Sequence, residues 1–198
     1  MDLTKDRKKL KELYLPDTED FVLVDVPDLF FAVVDGEGSP EEEGASAAIH
    51  HLFKTIYPIR REARKRMGKS FVEPPPEMLY WADDMRDLPL GNKERWKWKA
   101  MVVLPDWADE SQFSVEDGNA APTVRAERFK EGLCAQIMHV GGSQGIPTLL
   151  ERLYTQYLPQ QSLVPAGAYH EIYLDDWHRV APEKRRTVLR QPVRFVGA

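Results

Sequence analysis

The chain has 198 residues, 42% hydrophobic and 30% charged, with 27 Lys and Arg against 32 Asp and Glu for a formal net charge of -5. That balance excludes the strongly basic field that nucleic-acid binding needs, and no apolar run approaches the roughly 20 residues that span a bilayer. The lone cysteine, Cys134, excludes an intrachain disulfide and a cysteine-rich metal site.

The start, Met1-Asp2-Leu3-Thr4-Lys5, lacks the apolar stretch of a secretory signal, so a cytoplasmic location is expected. Residues 1–20 read as a charge-dense N-terminal extension, in which Lys8 to Leu15 can form a turn or two of helix before Pro16. This is too short for a helix-turn-helix. From Phe21 to Val26 and from Leu29 to Val34 run two apolar, β-branched segments separated by Pro27-Asp28. They read as a hairpin that ends in the turn-rich Asp35-Gly36-Glu37-Gly38-Ser39-Pro40. Ala45, Ala48, Ile49, Leu52, Phe53 and Ile56 then recur at helical spacing, with Pro58 expected to kink or restart the helix. Its basic tail, Arg60 to Lys69, reads as a solvated helix end.

After Pro74-Pro75-Pro76 a strand is expected over Glu77 to Asp84, carrying Tyr80 and Trp81, and another over Arg95 to Pro105. Alternation puts Trp96, Trp98, Ala100 and Val102 on one face of the latter and both lysines on the other. Residues 106–122, acidic and rich in small side chains, read as a linker. The order then recurs. Val124 to Phe129 and Leu133 to Val140 read as a second hairpin, and Leu149, Leu150, Leu153, Tyr154, Tyr157 and Leu158 as a second amphipathic helix. Strands over Tyr169 to Leu174 and Arg186 to Phe195 complete it. Glu77-Met78-Leu79-Tyr80-Trp81-Ala82-Asp83-Asp84 parallels Glu171-Ile172-Tyr173-Leu174-Asp175-Asp176, each an acid followed by apolar and aromatic residues and a pair of aspartates.

These parallels predict an α+β fold with a tandem pseudo-two-fold repeat of a strand-strand-helix-strand-strand unit. The halves fall at about 21–105 and 123–196 of a single domain over 21–198. Both helices are expected on one face of an antiparallel sheet, with a ligand groove on the other. On the strand near the C-terminus Glu171 shares a face with Tyr169 and Tyr173, while Ile172 and Leu174 take the opposite face. The expected groove is lined by Tyr80, Trp81, Trp96 and Trp98 from the first half and by Glu171 and Tyr173 from the second. A carboxylate among aromatic rings attracts planar or cationic small molecules, and desolvation raises its pKa. His139 and His170 lack the spacing of metal-ligand pairs, so no metal or other cofactor is expected. They join Tyr169 in the candidate ligand-binding set. Arg190 and Arg194 are expected to pair with acids such as Asp175, and Cys134 to be a buried thiol.

The sequence resembles the GyrI-like small-molecule-binding family, and within it the stand-alone branch with cyclopropanoid hydrolase activity. The matching pieces are Gly36-Glu37-Gly38-Ser39-Pro40, Leu79-Tyr80-Trp81-Ala82-Asp83-Asp84, Trp96-Lys97-Trp98-Lys99, Glu131 to Gly141, His170-Glu171-Ile172-Tyr173-Leu174, Pro182-Glu183-Lys184 and Leu189-Arg190-Gln191-Pro192-Val193. The resemblance implies a ligand in the central groove and a functional glutamate there, which by position is Glu171. Two departures stand out. Gly142-Ser143-Gln144 replaces a segment with proline and tyrosine, and Trp177 stands where a proline usually follows the aspartate. The expected function is ring-opening hydrolysis of cyclopropanoid DNA-alkylating genotoxins, with Glu171 activating water and Tyr173 or Tyr80 donating to the developing oxyanion. The alternative is a non-catalytic multidrug-binding or drug-sequestering protein. A gyrase-like protein partner is compatible with the acidic surface, but no residue demands it.

Overall fold

The computed structural model describes residues 6–41, 43–67, 74–83, 91–108 and 123–197. The expected strand end at Asp84, the loop residue Pro89 and most of the linker lie outside them. The fold is α+β with antiparallel strands. The chain divides into two compact units, one of residues 1–6 and 28–129 and the other of residues 7–27 and 130–198. The elements are α1 (Arg7–Tyr14), β1 (Val22–Glu37), α2 (Glu43–Met67), β2 (Glu77–Trp81), β3 (Lys97–Val103) and β4 (Arg125–Val140). They continue with α3 (Ile146–Arg152), which runs through a π-helical segment (Leu153–Tyr157) into α4 (Leu158–Gln160), and with β5 (Leu163–Pro165), β6 (Tyr169–Tyr173) and β7 (Arg186–Phe195). Among the described residues no helix is long and apolar enough to cross a membrane.

Both expected hairpins are single long strands. Apart from Phe21, segments 21–26 and 29–34 lie within the 16-residue β1. A two-residue hairpin loop needs a positive φ at its first residue, which the proline ring of Pro27 forbids, so the chain runs straight on. Apart from Val124, segments 124–129 and 133–140 belong to the equally long β4. Here Gly132, at φ 72°, supplies a left-handed residue inside the strand, the backbone signature of a bulge rather than of a reversal.

In the first unit β3 lies between β1 and β2, with Val34↔Ala100 and Gly36↔Trp98 on one side and Met78↔Ala100 and Tyr80↔Trp98 on the other. Helix α2 contributes Ala45, Ala48, Leu52, Ile56, Ile59 and Ala63 to the core. Pro58 does not end it. Pro58 and Lys54, whose carbonyl loses its amide partner, are both exposed, so water satisfies the freed group while the apolar stripe continues beneath.

In the second unit β7 is the central strand, pairing with β4 (Ile137↔Leu189), β6 (Glu171↔Leu189) and β5 (Val164↔Arg194). It is buried from Thr187 through Val193 without alternation, because both of its faces are covered. Helix α1 lies on one of them: Leu13 and Tyr14 are buried, Gln136 Nε2 donates to Glu12 O at 2.8 Å, and Arg190 donates to Leu13 O at 2.6 Å. The helical run from Ile146 lies on the other. Tyr154 donates to Gln191 Oε1 at 2.7 Å, and a Cβ on Gly145 would come within 2.7 Å of the His139 ring. Gln191 and His139 share a face with Leu189 and Ile137, and therefore with Glu171. The helix thus flanks Glu171 in this unit, whereas alternation put it over Ile172. A strand buried on both faces carries no mark of which one a helix will cover.

Candidate functional site

Tyr169, Glu171 and Tyr173 alternate along β6 and project from one face. The Tyr169 hydroxyl donates to Glu171 Oε1 at 3.0 Å and the Tyr173 hydroxyl to Oε2 at 2.7 Å, so one phenol holds each oxygen of the carboxylate. Burial pushes the Glu171 carboxyl above its ordinary value, a rise only partly offset by the two phenol hydrogen bonds and by the His170 and His139 side chains. The carboxyl is held by groups that can both donate and accept protons.

The strand continues into a braced loop. Asp175 takes Arg186 bidentately, at 2.8 Å and 3.0 Å, and also accepts the Arg186 backbone N–H at 2.8 Å. Trp177 meets the Tyr173 ring edge-on, with centroids 5.5 Å apart at 83°. Arg185 lies over the Trp177 ring at 5.0 Å.

Beside this arrangement, on the opposite face of β6, is a buried charge network. Glu131, next to Gly132, accepts from Arg190 at 2.9 Å and meets His170 Nδ1 at 2.9 Å, all three side chains being at most 2% exposed. Arg190 Nε donates to Gln136 Oε1 at 3.0 Å. Burial pushes the Glu131 carboxyl up, but the charges and hydrogen bonds of His170 and Arg190 together bring it down to about 2. Arg190 therefore finds its acid in Glu131, and Asp175 holds Arg186 instead. The sequence signal for this network is polar residues, Gln136 and Arg190, standing inside strands that otherwise read as core.

His170 thus points away from the Glu171 carboxyl. His139 lies on the Glu171 face, its Nε2 within 2.9 Å of Gly142 O under the 142–145 turn. In the first unit Tyr80 and Trp96 pack at 5.6 Å, and Trp81 and Trp96 are half-buried. Trp98 is 3% exposed, and its ring covers Gly36 so closely that a Cβ there would fall 1.9 Å from it. Among the described residues, no group of three or more His, Cys, Asp or Glu side chains is placed to hold a metal ion. Cys134 is buried, and desolvation drives its thiol far above the ordinary range.

Residues 19–194 match the GyrI-like small molecule binding domain. The chain belongs to this family. Two solved structures of Listeria innocua proteins are similar over 95% of this chain and 98% of theirs. One, an uncharacterized conserved protein, has 29% identity and a TM-score of 0.80. The other, described as a hydrolase, has 30% identity and a TM-score of 0.73. The C-terminal domain of EcmrR, at 14% identity and a TM-score of 0.57 over 89% of this chain and 98% of that one, shares the fold alone. No curated protein matches the chain. Membership of the GyrI-like family makes this a small-molecule-binding domain.

Proposed function

We propose that this GyrI-like protein is a cytoplasmic hydrolase of flat, cyclopropane-containing DNA-alkylating compounds, with Glu171 as its central group. The observation that carries the reading is the carboxyl of Glu171, raised by burial and held between the hydroxyls of Tyr169 and Tyr173. In a substrate whose cyclopropane is conjugated to a dienone, water forms a new C–O bond at a ring carbon. The strained C–C bond breaks, and its electron pair moves through the conjugated system to the carbonyl oxygen. That oxygen needs a proton and the attacking water must lose one. When a ligand displaces solvent, the Tyr173 O–H turns from Glu171 to the ligand oxygen, and the vacated carboxylate oxygen takes the water proton. A carboxyl with a raised pKa is the stronger base for that transfer, and it returns the proton through the same phenol. The net change is addition of one water, with strain supplying much of the driving force.

A binder is the second reading. Both oxygens of Glu171 are already satisfied by phenols, an arrangement that also fixes an anion for a cationic ligand. Glu171→Gln separates the two. In the hydrolase it abolishes the product one water heavier than the substrate, read by mass spectrometry, while a neutral flat ligand still binds. In a binder no such product forms with the native protein either, and the variant loses affinity for cationic dyes alone. Native turnover that survives the substitution removes Glu171 from the mechanism.

A further inference from the structure

We infer that Trp177 is a specificity residue of the Glu171 site, forming an outer wall on which a neutral, flat ligand stacks. This deepens the proposed function and rests on its assignment of Glu171. The residue is one aromatic ring from the carboxylate: its indole contacts Tyr173, and the Tyr173 hydroxyl is bonded to Glu171. It is also 48% exposed. A single exposed tryptophan is unremarkable by itself, but this one sits on a loop fixed at every turn. The Asp176 carboxylate accepts the His178 N–H at 2.8 Å, and its carbonyl accepts those of Arg179 and Val180 at 3.0 Å and 2.9 Å. Arg185 donates to Trp177 O at 2.8 Å and to Val180 O at 2.9 Å. The backbone is therefore positioned before any ligand arrives, and the ordering entropy of a stacking wall is already met in the free protein.

Arg185 decides the class of ligand. Its guanidinium lies 5.0 Å from the centre of the Trp177 ring, so the indole's attraction for a cation is already satisfied by the protein's own side chain. What the wall offers a ligand is area and polarisability next to a fixed positive charge. Neutral polycyclic carbonyl compounds meet that surface without repulsion, and cationic dyes of equal size do not. The site combines a carboxyl group that would attract a cation with an outer wall that disfavours one, and the neutral planar electrophile suits both.

The test uses acridone as the neutral probe and acridine orange, at a pH where it is cationic, as the charged one. Both are tricyclic, and each is titrated by fluorescence polarisation against the full chain. Trp177→Ala is expected to weaken acridone binding about tenfold, the scale of one lost aromatic stack, and to leave acridine orange within about threefold. Trp177→Phe is expected to restore most of the acridone affinity, and matched thermal melts to show all three proteins folded. For a cyclopropane-conjugated dienone, Trp177→Ala should raise KM with kcat unchanged. Equal acridone affinity in native protein and Trp177→Ala overturns the inference, as does an equal loss for both probes or a native protein that does not bind acridone. If turnover fails but Trp177→Ala still selectively weakens acridone, the hydrolase reading falls alone. If Glu171-dependent turnover holds while acridone affinity and KM ignore Trp177, this inference falls alone.

Discussion

Replacing Glu131 by Gln tests whether the buried charge network holds the second unit together. Glu131 is 2% exposed and bridges His170 and Arg190, which are 0% and 2% exposed. Its carboxyl stands at about 2 in the fold against an ordinary 4.5. At about 1.4 kcal/mol for each tenfold change in proton affinity, the ionised form contributes on the order of 3 kcal/mol at neutral pH. An independent consideration gives a similar size, since removing one partner of a buried pair and leaving the other charged costs about 3–5 kcal/mol. Because the folded-state pKa is depressed, the stabilisation is present above about 4.5 and is lost as pH falls from there through about 2. Urea titrations of native and Glu131→Gln proteins, run at pH 7 and at steps down to pH 3, should give a difference of about 3 kcal/mol that narrows with acid. A difference below about 1 kcal/mol at pH 7, or one that does not change between pH 5 and pH 3, would refute the reasoning.

Two further outcomes follow from individual contacts. Gly36→Ala forces a methyl group into the Trp98 ring, so it should cost at least about 1–3 kcal/mol and shift the tryptophan emission; unchanged stability and emission would mean that the indole does not cover the glycine. Glu171→Gln should change stability in the sense opposite to Glu131→Gln. With a folded-state pKa raised above the ordinary carboxylate value, Glu171 contributes stability that is present at low pH and lost as pH rises through that pKa. The variant-minus-native difference in Tm should therefore become more positive from pH 4 to pH 8, and a flat difference would count against a raised pKa.

The sequence by itself determined the elements that depend on local pattern. The apolar spacing from Ala45 onward and again from Leu149 specified helices, because a 3.6-residue period is a property of consecutive residues. Alternation likewise put Tyr169, Glu171 and Tyr173 on one face, and the hydrogen bonds confirm that register. Tertiary structure decided what local pattern cannot carry. Whether the chain reversed at Pro27 or near Gly132 depended on available strand partners as well as turn chemistry, and two long strands resulted. The face of β7 covered by the second helix was hidden because both faces are buried. The pairing of Arg190 with Glu131, 59 residues earlier, and the placement of Trp177 against Tyr173 were equally hidden. A charge or an aromatic ring has no sequence period that names its partner, and the partner is chosen only when packing brings distant strands and loops together.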